Sequence, residues 1–161
     1  MKKVEKIVEN LIKTLSKRKQ TVSFAESCTG GRIAAAFTAV SGSSDILRGS
    51  CVTYANEIKE AWLGVPKEIL ETKGAVSKEC VEYMLIGMEK MAASDYTLAV
   101  SGIAGPTGGT EFKPVGTVYI GLRTPEGNND IHHCLFKGGR HQVQEQATAF
   151  AIELLEKNIN S

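Results

Sequence analysis

Three groups of residues in this chain carry side chains suited to chemistry. The first is Glu26-Ser27-Cys28-Thr29-Gly30-Gly31, between a short β-prone stretch (Thr21 to Phe24) and an alanine-rich segment (Arg32 to Val40). A strand, a hydroxyl-rich turn with two glycines and a helix start would aim backbone N–H groups and a positive dipole end at an anion. Ser27 and Thr29 could add hydrogen bonds to a phosphate or carboxylate. The dipole alone contributes only ~0.3–1 kcal/mol when exposed, so a firm site needs several donors. A plain helix N-cap with a tight turn explains the same residues equally well. No GxxxxGK[ST] phosphate loop occurs anywhere in the chain.

The second group is the loop Ser101-Gly102-Ile103-Ala104-Gly105-Pro106-Thr107-Gly108-Gly109. Lys113-Pro114 and a second strand follow it, not a helix, so a dinucleotide fingerprint is a poor explanation. Long loops leaving strand ends in an open α/β sheet line ligand crevices. A flexible connector is the alternative. The third group is Ser43-Ser44, Tyr54 and Lys59. A neutral lysine can remove a serine proton for hydrolysis. Bringing its pKa from ~10.4 to near 7 requires ~4–5 kcal/mol of preference for the neutral amine. Burial, a neighbouring cation or a donor such as Tyr54 would have to supply it. On spacing alone, a turn serine and a solvated helix lysine explain Ser44 and Lys59 better. Cys28, a thiol at a helix start, is a rival nucleophile; free cysteine is more often a small buried side chain. Arg140 is a candidate anion clamp, or a surface arginine. His132 and His133 occupy adjacent strand positions, so at most one faces any pocket.

The elements that must hold these groups are legible in outline. Val4, Ile7, Val8, Leu11, Ile12 and Leu15 follow the three-four spacing of an amphipathic helix. Strands are expected over Thr21–Phe24, Ser50–Tyr54, Thr97–Ser101, Val115–Leu122 and Ile131–Phe136. Asn56 reads as the N-cap of a helix ending at Gly64. Pro66 opens a short helix, Ser77 caps a longer one, and a last helix carries Val143, Ala147, Phe150, Ala151, Leu154 and Leu155. Early alternation and a late hairpin imply one α/β domain: a mixed sheet with helices on both faces.

Composition closes off other classes. The 161 residues are 42% hydrophobic and 23% charged, ordinary globular usage for one domain with a sizeable core. A net charge of +1 argues against a strongly basic nucleic-acid binder. Residues 1–20 carry seven Lys/Arg against two Glu, which suits a solvated face packed on the chain's own acidic body better than an anionic partner or the acidic body of a second subunit. No apolar run suits a membrane span or signal peptide, so a cytoplasmic protein is expected. Four scattered cysteines without a CxxC pair give no metal spacing, and no cofactor is expected. Eight of the sixteen glycines fall in Gly30-Gly31, Gly102 to Gly109 and Gly138-Gly139. Such clustering marks loops with unusual backbone angles or close approaches.

AESCTGG (Ala25–Gly31), GSS (Gly42–Ser44), VTYANEIK (Val52–Lys59), GAVS (Gly74–Ser77), SGIAGPTGG (Ser101–Gly109) and KPVGTV (Lys113–Val118) occur here in one order. In that order the chain resembles the CinA C-terminal domains, whose stand-alone form is the PncC-type nicotinamide-nucleotide amidase. The resemblance implies a three-layer α/β/α sandwich, no metal, and a homodimer or higher homo-oligomer. It also implies hydrolysis of the carboxamide of nicotinamide mononucleotide to nicotinic acid mononucleotide and ammonia. Its nucleophilic serine corresponds to Ser44, its lysine base to Lys59 and its assisting tyrosine to Tyr54. Ser27, Thr29, Gly30, Gly31, Ser101, Gly102 and Gly105 fall in the loops around the nucleotide, and Arg140 matches an arginine associated with substrate. The resemblance breaks after Arg140, where Gln144 and Glu145 replace basic residues and so reduce the phosphate contacts expected from the last helix. A nucleotide-binding regulatory module without turnover is the alternative function.

Overall fold

The computed structural model describes residues 2–161. Five strands form one sheet in the order β2-β1-β3-β4-β5. They are β1 (Val22–Glu26), β2 (Leu47–Val52), β3 (Tyr96–Gly102), β4 (Thr117–Arg123) and β5 (Asn129–Leu135). β1 lies parallel to β2 and to β3, while β3, β4 and β5 pair antiparallel. The mixed sheet and late hairpin expected from the sequence are thus present. β1 and β3 are buried nearly throughout, as apolar central strands must be.

Two helical layers cover the sheet. Helices α1 (Lys2–Arg18), α2 (Arg32–Thr38) and α6 (Arg140–Ile159) cover one face. The six periodic apolar residues of α1 are all buried there. Helices α3 (Asn56–Leu63), α4 (Lys67–Thr72) and α5 (Lys78–Ala92) cover the other. Ser77 caps α5 as expected, its Oγ accepting from the Cys80 amide at 3.1 Å. The N-cap of α3 is Ala55 and not Asn56, which is the first helical residue. Asn56 therefore keeps its side chain free for the cleft described below. None of the described helices is long and apolar enough to cross a membrane.

The α3–α5 crossing is unusually close. A Cβ on Gly87 of α5 would run into the backbone carbonyl of Leu63, at the end of α3. In an ordinary helix interior Gly→Ala gains roughly 0.5–1 kcal/mol. Here the sign reverses: Gly87→Ala is expected to destabilise by about 1–3 kcal/mol, the range for overpacking. A thermal melt lowered relative to wild type checks this; an unchanged or raised melt would mean that the helices can part freely.

β1 is the switch point of the sheet. From β1 the chain passes over one face through α2 to β2 on its left. From β2 it returns over the other face, through α3 to α5, to β3 on the right of β1. In such sheets the crevice outside the carboxyl ends of the strands beside the switch is where ligands bind. The segments leaving β1, β2 and β3 there begin at Ser27, Thr53 and Ile103.

Candidate active site

A cleft of about 170 Å³ lies at these strand ends. Ser27 and Cys28 enter it from the end of β1, and Ser101, Gly102 and Ala104 from the end of β3 and the loop beyond. Tyr54, Asn56 and Lys59 come from the β2–α3 corner, Ala75 and Val76 from the approach to α5, and Arg140 from the first turn of α6.

Lys59 is the centre of the cleft. The side chain is almost wholly enclosed, at 1% exposure, so it is no solvated helix lysine. Its Nζ lies 2.7 Å from the Thr53 carbonyl, 3.0 Å from the Tyr54 carbonyl and 3.0 Å from Ser27 Oγ. Among the described residues no carboxylate pairs with it. Burial pushes its pKa below the ordinary lysine value. Hydrogen counting then defines the arrangement. Both carbonyls can only accept, so the two N–H bonds of a neutral amine go to Thr53 and Tyr54. The third position of Nζ faces Ser27 Oγ: a protonated amine donates there, and a neutral one presents its lone pair to the Ser27 O–H. A lysine held this way is arranged as a base toward Ser27.

Ser44 is not part of this cluster. It lies exposed in a single 3-10 turn, Ser43–Asp45, which precedes β2 and packs beside α1. Lys59 follows the other end of that strand. A six-residue strand spans about 16 Å between its terminal Cα atoms. The expected Ser44–Lys59 pair is therefore not formed; Ser27 stands where Ser44 was placed. Tyr54 also differs from expectation. Its carbonyl meets Lys59, but its hydroxyl accepts from Arg140 Nη2 at 3.1 Å, and the ring is largely exposed.

The helix start after Ser27 is likewise not an open anion site. Glu26, wholly buried, turns its carboxylate into the first turn of α2. Oε1 accepts from Thr29 Oγ1 at 2.7 Å and from the amides of Gly31 and Ile33, and Oε2 accepts from the Ala34 amide. The Arg32 amide donates to the Thr29 carbonyl. Every free amide of that turn is taken, and Thr29 with them. Gly31, at φ +99°, lets the chain turn around the carboxylate. Thr29, Gly30 and Gly31 thus build the wall behind Ser27 and do not face the cleft. The positive helix end is met by the protein's own anion.

Of the second loop, Gly102 reaches the cleft and Gly105 acts through its carbonyl. That carbonyl accepts from Arg140 Nη1 at 2.7 Å. Arg140 therefore ties α6 to the loop and to Tyr54 across the cleft mouth, with its guanidinium exposed to a ligand. Gln144, one turn further along α6, is buried and donates to the Cys28 carbonyl at 3.0 Å. The residue that replaces a basic side chain thus braces the segment carrying Ser27. Glu145 is exposed beside α2, away from the cleft.

Cys28 fails as a nucleophile on electrostatic grounds. Burial pushes its thiol up to about 12, despite nearby Lys59 and Arg140. An alkylating agent at pH 8 is expected to leave Cys28 unlabelled, as peptide mass mapping would show. Rapid labelling there would restore the thiol as a rival.

Sequence reasoning had Lys59, Tyr54, Ser101, Gly102 and Arg140 in the site, and the structure brings them together. It missed Asn56, Ala75 and Val76 as cleft residues. It assigned Ser27 to ligand binding, although its place directly after a buried strand at the switch point was an available signal.

The profile of the CinA C-terminal domain matches residues 4–159. The chain belongs to that family. A CinA-like protein of Fervidobacterium nodosum is 48% identical over 145 residues, and one of Thermotoga neapolitana 41% identical over 155. Those alignments cover 90% and 96% of this chain but only 35% and 38% of the relatives, so the chain spans about a third of their length. Among solved structures, the competence/damage inducible protein CihA from Agrobacterium tumefaciens is 36% identical, with a TM-score of 0.94. That match covers 98% of this chain and 96% of that one. A competence or damage-inducible protein from Enterobacter asburiae is 31% identical with a TM-score of 0.93, covering 97% of this chain and 98% of the other. The three-layer fold of the CinA superfamily is the fold of this chain.

Proposed function

We propose that this CinA domain hydrolyses the carboxamide of nicotinamide mononucleotide through a Ser27–Lys59 pair. The observation that carries the reading is the buried, carboxylate-free Lys59, whose two carbonyl partners leave one position of Nζ for Ser27 Oγ. Ser27 Oγ attacks the carboxamide carbon while its proton passes to Lys59 Nζ. Collapse of the tetrahedral intermediate breaks the C–N bond, and Lys59 returns the proton to the departing nitrogen, which leaves as ammonia. Water, deprotonated by the same amine, then cleaves the Ser27 ester to the carboxylate and restores the hydroxyl.

The Cys28 amide follows Ser27 directly in the cleft wall and is the donor nearest in sequence to the developing oxyanion. Ligand clefts run about 300–1,000 Å³, so a 170 Å³ cleft takes the pyridine carboxamide and leaves the ribose phosphate at the rim. Arg140, exposed at that rim and bonded to the Tyr54 hydroxyl, is the phosphate partner, and Asn56 lines the same cleft. No cofactor enters this chemistry.

Ammonia release from nicotinamide mononucleotide, its riboside and free nicotinamide tests the reading. The phosphorylated compound is expected to be turned over with the highest kcat/KM. Thermal stabilisation by the nucleotide without any ammonia would instead establish a binding module and overturn the enzymatic reading.

A further inference from the structure

Gln144 stands where the chain leaves the pattern of the proteins it resembles. At 6% exposure in the second turn of α6 it is no surface contact for a phosphate. Arg140, four positions earlier on the same face of the helix, is the residue that reaches the cleft mouth. Gln144 reaches instead the turn that carries Ser27.

Most bonds of that turn are local. The Ser27 carbonyl accepts from the Gly30 amide at 3.0 Å and the Thr29 carbonyl from the Arg32 amide at 3.0 Å, while the Gly31 amide donates to Glu26. The Cys28 carbonyl has no such neighbour. Cys28 is buried, and among the described residues its carbonyl accepts only from Gln144 Nε2, at 3.0 Å and across 116 positions of chain. The turn ends in Gly30 and Gly31, both at positive φ, a pair that admits several backbone paths on local terms alone. The Gln144 donor is the bond from outside that selects one of them. It fixes the peptide next to the one joining Ser27 to Cys28. The direction of Ser27 Oγ and that of the Cys28 amide both follow from that peptide.

We infer that Gln144 is a positioning residue for Ser27: through the Cys28 carbonyl it holds the serine hydroxyl on Lys59 Nζ and the Cys28 amide beside the reacting carbon. The inference rests on the Ser27–Lys59 reading and adds to it a residue that touches neither substrate nor reacting atoms.

Two readouts test it together. One is steady-state ammonia release from nicotinamide mononucleotide. The other is the rate at which a small alkyl fluorophosphonate labels Ser27, located by peptide mass mapping. Labelling needs no nucleotide: Ser27 Oγ bonds to phosphorus, its proton passes to Lys59 and fluoride leaves. Gln144→Met removes the donor at nearly constant volume. It is expected to lower kcat and the labelling rate at least about tenfold, with KM within about threefold, since a misplacement of ~1 Å can cost about 10²-fold. Gln144→Glu, whose carboxylate only accepts, should lose as much at pH 8. Gln144→Arg carries Nε as many bonds from Cα as Gln carries Nε2, and should bring both rates to within about threefold of wild type. A merely structural role would lower the melting temperature of Gln144→Met and leave labelling of the folded protein unchanged. If Gln144→Met does not fold, Gln144→Glu carries the same test. Wild-type rates in either folded variant, or a Gln144→Arg as slow as they are, overturn the inference and leave the Ser27–Lys59 pair standing. A wild type that neither releases ammonia nor labels at Ser27 overturns the reading beneath it.

Discussion

Replacing Ser27 by alanine is expected to lower ammonia release by about 10³-fold or more, since removal of a nucleophile eliminates the covalent route. The same change at Ser44 is expected to keep the rate within about a factor of two, as for an exposed residue remote from the site. The contrast is large because Ser44 precedes β2, whereas Ser27 follows β1 at the sheet edge where β2 ends. Ser27 Oγ is 3.0 Å from Lys59 Nζ, whereas Ser44 sits on a turn beside α1. Circular dichroism spectra and melts of both variants should match wild type closely, since neither hydroxyl supports the core. Steady-state kinetics with purified proteins would check the pair. Equal losses at both positions would mean that Ser44 reaches the reaction by a route this fold does not provide.

Lys59 carries the second large effect. Lys59→Ala is expected to lower kcat about 10²–10⁴-fold, the range for a positioned general base. Lys59→Arg should not rescue it, because a guanidinium stays charged and cannot accept the serine proton. The wild-type rate should rise with pH as Nζ loses its proton. The midpoint of that limb should fall below the ordinary lysine value of ~10.4, because burial lowers the pKa. Stability has the same sign. Between the lowered folded value and the ordinary unfolded one, the unfolded chain binds more protons at Lys59 than the folded chain does. The contribution of Lys59 to folding therefore improves as pH rises through that window. Melts of wild type and Lys59→Met across that range should show the difference moving toward wild type with rising pH. A flat difference together with a flat rate profile would mean that Lys59 stays in one protonation state throughout.

Much of this arrangement is local in sequence and was readable there. The apolar spacing of α1, the Ser77 cap of α5 and the alternation of strands with helices each depend on neighbouring residues. The partner of Lys59 is not local. Ser27 and Lys59 are 32 positions apart and meet because β1 and β2 run parallel with Glu26 opposite Val52, which puts both corners at one sheet edge. The fifteen positions from Ser44 to Lys59 contain all of β2, so short sequence separation there means separation in space. Glu26 hides a second long-range fact. A carboxylate in a strand gives no sign that it will bend back to fill a helix end five to eight residues on. The glycines next to it therefore looked like a phosphate cradle, when they allow the chain to wrap its own anion. Gln144 illustrates the converse. Its place on a helix after Arg140 suggested a lost surface charge, yet it is buried and holds the Cys28 carbonyl.

Acid quenching during turnover of nicotinamide mononucleotide, followed by peptide mass mapping, tests the Ser27 assignment most directly. The mechanism predicts an acyl ester with the mass of the nicotinoyl nucleotide on the peptide containing Ser27, absent from Ser27→Ala and formed in step with the first equivalent of ammonia. An ester on the peptide containing Ser44, or full turnover by Ser27→Ala, would contradict it.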